Sequence, residues 1–329
     1  MSRNYRPGYL ALYKSGELEE RLRMLESRLE FCDICPRECG VNRFTGNNGY
    51  CNAGYLPSVS SICDHHGEEP VLSGTNGSGT VFFCNCNLAC VFCQNYQISQ
   101  GREYAASRTM NFREVASRIV ALQNLKGVHN INFVSPGHLV PQMVRIIYEA
   151  IPLGLNVPIV YNSNGYDSVG TLRQLEGIIS IYLPDFKYAD DESSKIYSDV
   201  PGYREQALSA IKEMYRQVGD LQVDKKGTAQ KGVIVRHLVL PNDLAETREV
   251  IRLLANEVSP DITISLMAQY HPSYRAGEYP LLSRPVTFNE YSKALGYLDQ
   301  FKLSSGFSQQ MNAPEYYLPD FYKEDHPFE

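Results

Sequence analysis

The sequence predicts an α/β protein built on parallel strands. Short β-branched or apolar runs alternate with helical patterns six times, which calls for parallel pairing through right-handed crossovers. The 329-residue chain is 43% apolar, enough for one large α/β barrel or for two smaller domains. No Gly-x-Gly-x-x-Gly follows the first strand, which weakens a dinucleotide-binding version of the fold. An open doubly wound sheet and a barrel or partial barrel both fit the rhythm.

Strands are expected near 79–84 (GTVFFC), 130–135, 157–162, 178–183, 232–240 (GVIVRHLVL) and 262–267. Helical patterns lie near 112–125, 139–150, 168–177, 190–198, 203–218, 243–257 and 287–302. Upstream, Leu18, Leu22, Leu25 and Leu29 recur at helical spacing within 17–31, giving an amphipathic helix that packs on the body. The polar stretch 219–231 reads as an exposed loop. The tail from Ser304 carries Tyr316, Tyr317, Phe321, Tyr322 and Phe328 and is expected to pack back onto the body. The resulting division is an N-terminal helix and cysteine segment (1–75), a central α/β body (76–303) and an aromatic tail (304–329).

The formal net charge is −6, so the chain lacks the electrostatic footprint of a general nucleic-acid binder. No run approaches the ~18 apolar residues of a membrane span, and no apolar segment of signal-peptide length opens the chain. A soluble cytoplasmic protein is the default expectation.

Nine cysteines stand at 32, 35, 39, 51, 63, 84, 86, 90 and 93, with none afterwards. Such clustering in a long chain reads as metal or iron–sulfur ligation rather than a disulfide scaffold. Cys86, Cys90 and Cys93 form C-x3-C-x2-C directly after the first expected strand. Three thiolates leave one position of a cubane cluster open, and an open iron can bind a substrate. A structural zinc knuckle would pair C-x2-C with a second pair. Cys84, within the strand, reads as a small buried side chain, and so does Cys63. Cys32, Cys35, Cys39 and Cys51 supply four more thiolates, enough to close a second site around zinc or an auxiliary iron–sulfur cluster.

The loop Cys86-Asn87-Leu88-Ala89-Cys90-Val91-Phe92-Cys93 resembles that of the radical S-adenosylmethionine (SAM) superfamily. The likeness is greatest to proteins of the pyruvate formate-lyase activating enzyme type with a cysteine-rich N-terminal segment. It runs from about Cys32 to about Phe301. It implies a partial (β/α)6 barrel, which the six-strand count fits, and a [4Fe–4S] cluster on Cys86, Cys90 and Cys93, with Phe92 packed beside it. It further implies that SAM chelates the open iron and is reductively cleaved to a 5′-deoxyadenosyl radical. An external one-electron reductant of flavodoxin or ferredoxin type would then be a partner, and a glycyl radical enzyme or another peptide the substrate.

Polar groups gather where the strands should end, the functional rim of a parallel barrel. They are Ser135-Pro136-Gly137-His138, Asn162-Ser163-Asn164-Gly165, Asp185-Phe186-Lys187 and Gln269-Tyr270-His271. Alternate spacing puts Asp185 and Lys187 on one face, an acceptor and a cation for a zwitterionic ligand. They look like the Asp-x-Lys element with which the activating enzymes hold SAM, and His271 resembles a histidine near the adenine. Arg236, inside an apolar strand, needs a carboxylate from the protein or from the ligand. His237 points to the other face and reads as structural. The activating enzymes carry Gly-Gly-Glu after the second strand to receive the SAM amino group, and this chain does not. Backbone carbonyls near Ser135 and Pro136 are expected to serve instead. Gly67-Glu68-Glu69-Pro70 resembles the motif in letters but precedes the first expected strand, so it is not its equivalent.

Two other functions fit part of this pattern. One is radical modification of a small molecule or RNA. The other is a non-catalytic iron–sulfur or zinc electron-transfer module, which explains the cysteines but not the Asp185–Lys187 pair.

Overall fold

The structure, a computed structural model, describes residues 5–46, 48–311, 318–323 and 326–328. Its strands are β1 (Val59–His65), β2 (Ser78–Phe83), β3 (Ile131–Val134), β4 (Ile159–Ser163), β5 (Ile181–Pro184), β6 (Gln222–Val223), β7 (Ala229–Leu238), β8 (Thr263–Met267) and β9 (Gly306–Ser308). One curved sheet runs in the order β1-β2-β3-β4-β5-β7-β8-β9, with β6 a short hairpin partner of β7. The six expected strands are β2, β3, β4, β5, β7 and β8, all parallel. Between the described residues of β1 and β9 no strand pairing closes the ring, so the barrel is partial.

The parallel strands are apolar because both of their faces are covered. On the outer face, Val81, Phe83, Phe133 and Tyr161 join the main core with the helices Phe112–Lys126 and Val140–Ala150. Phe83 stacks on Phe133 at 5.8 Å between ring centres. On the inner face, Val160, Ile181, Leu183 and Ile234 close around Leu72, which the β1–β2 connection pushes into the barrel. The space above that plug stays open at the C-terminal ends of the strands.

Helix starts follow their caps: the Asn111 side chain accepts from Glu114 N–H, and Thr287 with Glu290 forms a capping box. The amphipathic helix spans Glu17–Ser27, and its leucines, with Leu29 beyond, are buried in the main core. Arg145 Nε donates to Glu26 at 2.9 Å and ties this helix to Val140–Ala150.

Several boundaries differ from expectation. The pattern at 168–177 yields only the short helix Val169–Arg173. The one at 243–257 splits into Thr247–Leu253 and a π-helical turn, Leu254–Val258. The expected loop at 219–231 contains β6 and the start of β7. Besides β6, two strands escaped expectation: β1, antiparallel on β2, and β9, which extends the sheet from the tail. In the tail, Phe321 is buried and the Phe328 ring lies tilted against His65 at 4.2 Å between centres, whereas Tyr322 is exposed. Tyr316 and Tyr317 lie outside the described residues. Among the described residues no helix is long and apolar enough to cross a membrane.

Candidate active site

β2 carries the chain to Cys84, which is fully buried. Asn85 then turns with φ +68°, and the cysteine loop begins. The loop has no helix or strand of its own and is held from outside. Ala89 N–H and Val91 N–H donate to the carbonyls of Ser198 and Tyr197, and Arg275 N–H donates to Val91. Arg37 Nε donates to the Asn87 carbonyl at 3.0 Å, while Asn87 Nδ2 donates to Tyr166. Cys86, Cys90 and Cys93 thereby line one cavity of about 970 Å³ at the barrel mouth.

Each of these sulfurs has a donor group nearby. Leu88 N–H and Asn164 Nδ2 both donate to Cys86 Sγ at 3.4 Å, Ser198 Oγ lies 3.0 Å from Cys90 Sγ, and Ser99 Oγ lies 3.3 Å from Cys93 Sγ. Such contacts tune bound clusters. Burial, reinforced by neighbouring thiolates, pushes the Cys86 thiol up to about 12 and that of Cys93 up to about 11. Cluster binding at this loop must therefore displace thiol protons. Phe92 is buried beside the loop, edge-on to Tyr188 and Tyr270.

The second arm of the site is the end of β5. Asp185 N–H donates to the Ser163 carbonyl and Phe186 N–H to that of Arg236, extending the ladder past Pro184. Phe186 consequently points into the core, while Asp185 and Lys187 face the cavity. Their side chains meet at 2.5 Å and are about four-fifths buried, so this is no open surface pair. Burial works against the Lys187 charge, but Asp185 and the nearby Cys90 outweigh it and raise its pKa. Gly165 (φ +80°) makes this register possible, because a Cβ there would sit 2.1 Å from the Asp185 carbonyl oxygen.

Sequence reading missed the floor. Glu68 and Glu69, in the β1–β2 connection, line the same cavity. Arg236 Nε and Nη2 donate to Glu69 at 2.8 and 2.7 Å, Nη2 also pairs with Glu68, and Asn132 Nδ2 donates to Glu68 at 2.7 Å. Gly67-Glu68-Glu69-Pro70 still precedes the first expected strand and is not the equivalent of Gly-Gly-Glu, but an unforeseen antiparallel strand leads into it and its glutamates line the cavity. Arg236 in its apolar strand was the available signal, and the protein itself supplies its carboxylates.

The other rim residues divide. Ser135, Asn162, Ser163 and Asn164 line the cavity, whereas Pro136 and His271 are not part of its lining. His138, expected on the rim, is fully buried beneath it, its Nε2 3.1 Å from the Cys84 carbonyl. Burial, then Arg43, pushes its pKa down to about 3, so it is neutral. His237 is buried between the Phe186 carbonyl and Thr247.

The family model described as the Radical SAM superfamily matches residues 80–255. The chain belongs to that superfamily. Its members are enzymes that use a [4Fe–4S] cluster, SAM and an electron donor. This radical SAM protein is 32% identical over 301 residues to the uncharacterized protein MJ0674 of Methanocaldococcus jannaschii, covering 89% of this chain and 82% of that one. Among solved structures it resembles HydG, a maturase of the [FeFe]-hydrogenase, with TM-score 0.48 and 12% identity. That match covers 92% of this chain, which spans 66% of the HydG chain, just under two thirds.

Proposed function

We propose that Cys86, Cys90 and Cys93 hold the family's [4Fe–4S] cluster with one iron open, and that Asp185 and Lys187 bind SAM beside it. The observation that carries this reading is the convergence of the three thiols and the charged pair on one cavity. When bound, the cluster supplies the electron that cleaves the sulfonium S–C5′ bond, giving methionine and a hydrogen-abstracting 5′-deoxyadenosyl radical.

The chain's own part is to bind, orient and exclude water. Lys187 and Asp185 exchange their mutual contact for the carboxylate and ammonium of SAM. Arg236 stays committed to Glu68 and Glu69, and its strand fixes the Asp185 backbone. Ser135 and Asn162 offer further polar contacts. Phe92, Tyr188 and Tyr270 keep water from the cluster side of the loop. A flavodoxin- or ferredoxin-type protein delivers the electron.

The hydrogen donor is a residue of a protein or peptide, such as a glycyl radical enzyme, as the likeness to activating enzymes suggests. Residues 76–303 carry this chemistry, described residues of the tail such as Phe328 line its flank, and the N-terminal segment brings the second cysteine set together as a separate metal site. The reading is tested by incubating the anaerobic, iron-loaded protein with SAM and dithionite. Equal amounts of 5′-deoxyadenosine and methionine are expected, and intact SAM would refute it.

A further inference from the structure

The N-terminal cysteine segment grips the loop of Cys86, Cys90 and Cys93 through one guanidinium. Arg37 lies between Cys35 and Cys39 in the sequence. Its Nε donates to the Asn87 carbonyl at 3.0 Å, and its Nη2 donates to the Asp199 carbonyl. The guanidinium carbon lies 3.7 Å from the centre of the Tyr50 ring and 5.7 Å from that of Tyr166. A planar, forked cation can make two directed bonds and rest against rings at the same time, which a lysine ammonium cannot reproduce.

The two carbonyls belong to two walls that each reach a thiol of the loop. Asn87 follows Cys86, and its Oδ1 accepts from Asn164 Nδ2 at 2.7 Å, the same group that donates to Cys86 Sγ at 3.4 Å. Asp199 follows Ser198, whose Oγ lies 3.0 Å from Cys90 Sγ and whose carbonyl accepts from Ala89 N–H. The rings beside Arg37 are tied to the same walls. Tyr50 Oη donates to Asp199 Oδ2 at 2.7 Å, and Asn87 Nδ2 donates to the Tyr166 carbonyl at 2.9 Å.

A second strut reaches the start of the loop. Arg43 Nη1 donates to the His138 carbonyl at 2.7 Å, and His138 Nε2 lies 3.1 Å from the carbonyl of Cys84, two residues before Cys86. The loop has no helix or strand of its own, so the spacing of its sulfurs follows from contacts such as these. Arg37 is the side chain that joins the Cys86 wall to the Cys90 wall. Ligands held in place by outer contacts keep a cluster's geometry and electronics fixed.

We propose that Arg37 is a positioning residue for the SAM chemistry: by holding Asn87 and Asp199 together it fixes Cys86 relative to Cys90, and through it the N-terminal segment acts on the open cluster. This rests on the reading that Cys86, Cys90 and Cys93 hold that cluster, and it does not depend on what the N-terminal cysteines bind. The test compares the wild type, Arg37→Met and Arg37→Lys as full chains reconstituted anaerobically with iron and sulfide. The electron paramagnetic resonance signal that SAM perturbs separates the open cluster from any metal on the N-terminal cysteines. Arg37→Met keeps the apolar stem and removes the fork. It should speed loss of that signal to an iron chelator by about tenfold or more, the worth of one hydrogen bond from a charged group. The signal itself should change shape, while SAM affinity, set by Asp185 and Lys187, should change by less than about threefold. Arg37→Lys keeps the charge without the fork and should recover less than half of the difference; full recovery would overturn the role of the fork. An unchanged signal with unchanged lability in Arg37→Met would overturn the proposal while leaving SAM cleavage by the wild type intact. A wild type with no SAM-perturbed signal would instead remove the reading beneath it. If Arg37→Met fails to fold, Tyr50→Phe, which loses only the hydroxyl held by Asp199, should show the same change to a smaller degree, and wild-type lability there would overturn the proposal.

Discussion

Lys187 is held between opposing influences: its burial disfavours the ammonium, while the Asp185 carboxylate stabilises it. A cation kept charged in a partly dry cavity is suited to receiving a carboxylate. Lys187→Ala should therefore weaken SAM binding by about tenfold or more, the worth of one charge-assisted hydrogen bond, while the cluster's visible absorption persists. Equilibrium dialysis of SAM against the reconstituted variant measures this, and unchanged affinity would reduce the pair to a structural one. His138 behaves oppositely, since its burial favours the neutral ring and carries its pKa from 6.5 to about 3. The unfolded chain then takes up a proton below pH 6.5 that the folded chain refuses. The stability this residue contributes is thus fully present above pH 6.5 and is lost as pH falls toward 3. Between pH 6.5 and 5 the loss amounts to about 2 kcal/mol. Urea unfolding at the two pH values should show a shallower acid loss in His138→Gln than in the wild type; equal slopes would contradict the assignment. At this scale the shared rim of Cys86, Cys90, Cys93, Asp185 and Lys187 could be read in advance because their spacing is local. His138 was misread because a rim position in sequence does not say whether the side chain turns up to solvent or down into the core.

Among the elements, the parallel strands announced themselves through apolar runs covered on both faces, as in β2, β4 and β8, where every residue is buried. β1 gave no such signal. Its sequence, VSSICDH, is half polar because it is an edge strand with one side open. Missing it hid Glu68 and Glu69, which follow it, and with them the partner that Arg236 demanded. The β4–β5 rim shows how tightly these elements are fitted. Gly165 holds a positive φ against the Asp185 carbonyl, with Tyr203 Oη bridging Asn164 and Asp185 at 2.8 and 3.1 Å. Gly165→Ala should cost about 2 kcal/mol or more in denaturant unfolding, combining left-handed strain with the collision. It should also weaken SAM binding, because Asp185 must move to relieve the contact. Wild-type stability and affinity in this variant would show that the rim tolerates the displacement.

The whole molecule joins two cysteine sets and one cavity through a single sheet. β1 comes from the N-terminal segment and β9 from the tail, so both flanks are built into the barrel rather than appended to it. Phe328, resting on His65 and near Phe82 at 5.8 Å, lines the cavity beside the edge strand β1. Long-range closure of this kind depends on pairings distant in sequence, which is why the α/β rhythm and the aromatic tail could be read in advance but not the route by which the tail reaches β1. The central claim is that an open cluster on Cys86, Cys90 and Cys93 is the source of the radical. The direct measurement is 5′-deoxyadenosine release from SAM under dithionite, comparing the wild type with the folded Cys86/Cys90/Cys93→Ala variant at equal protein concentration. The account predicts release from the wild type and none above background from the variant, and continued release from the variant would contradict it.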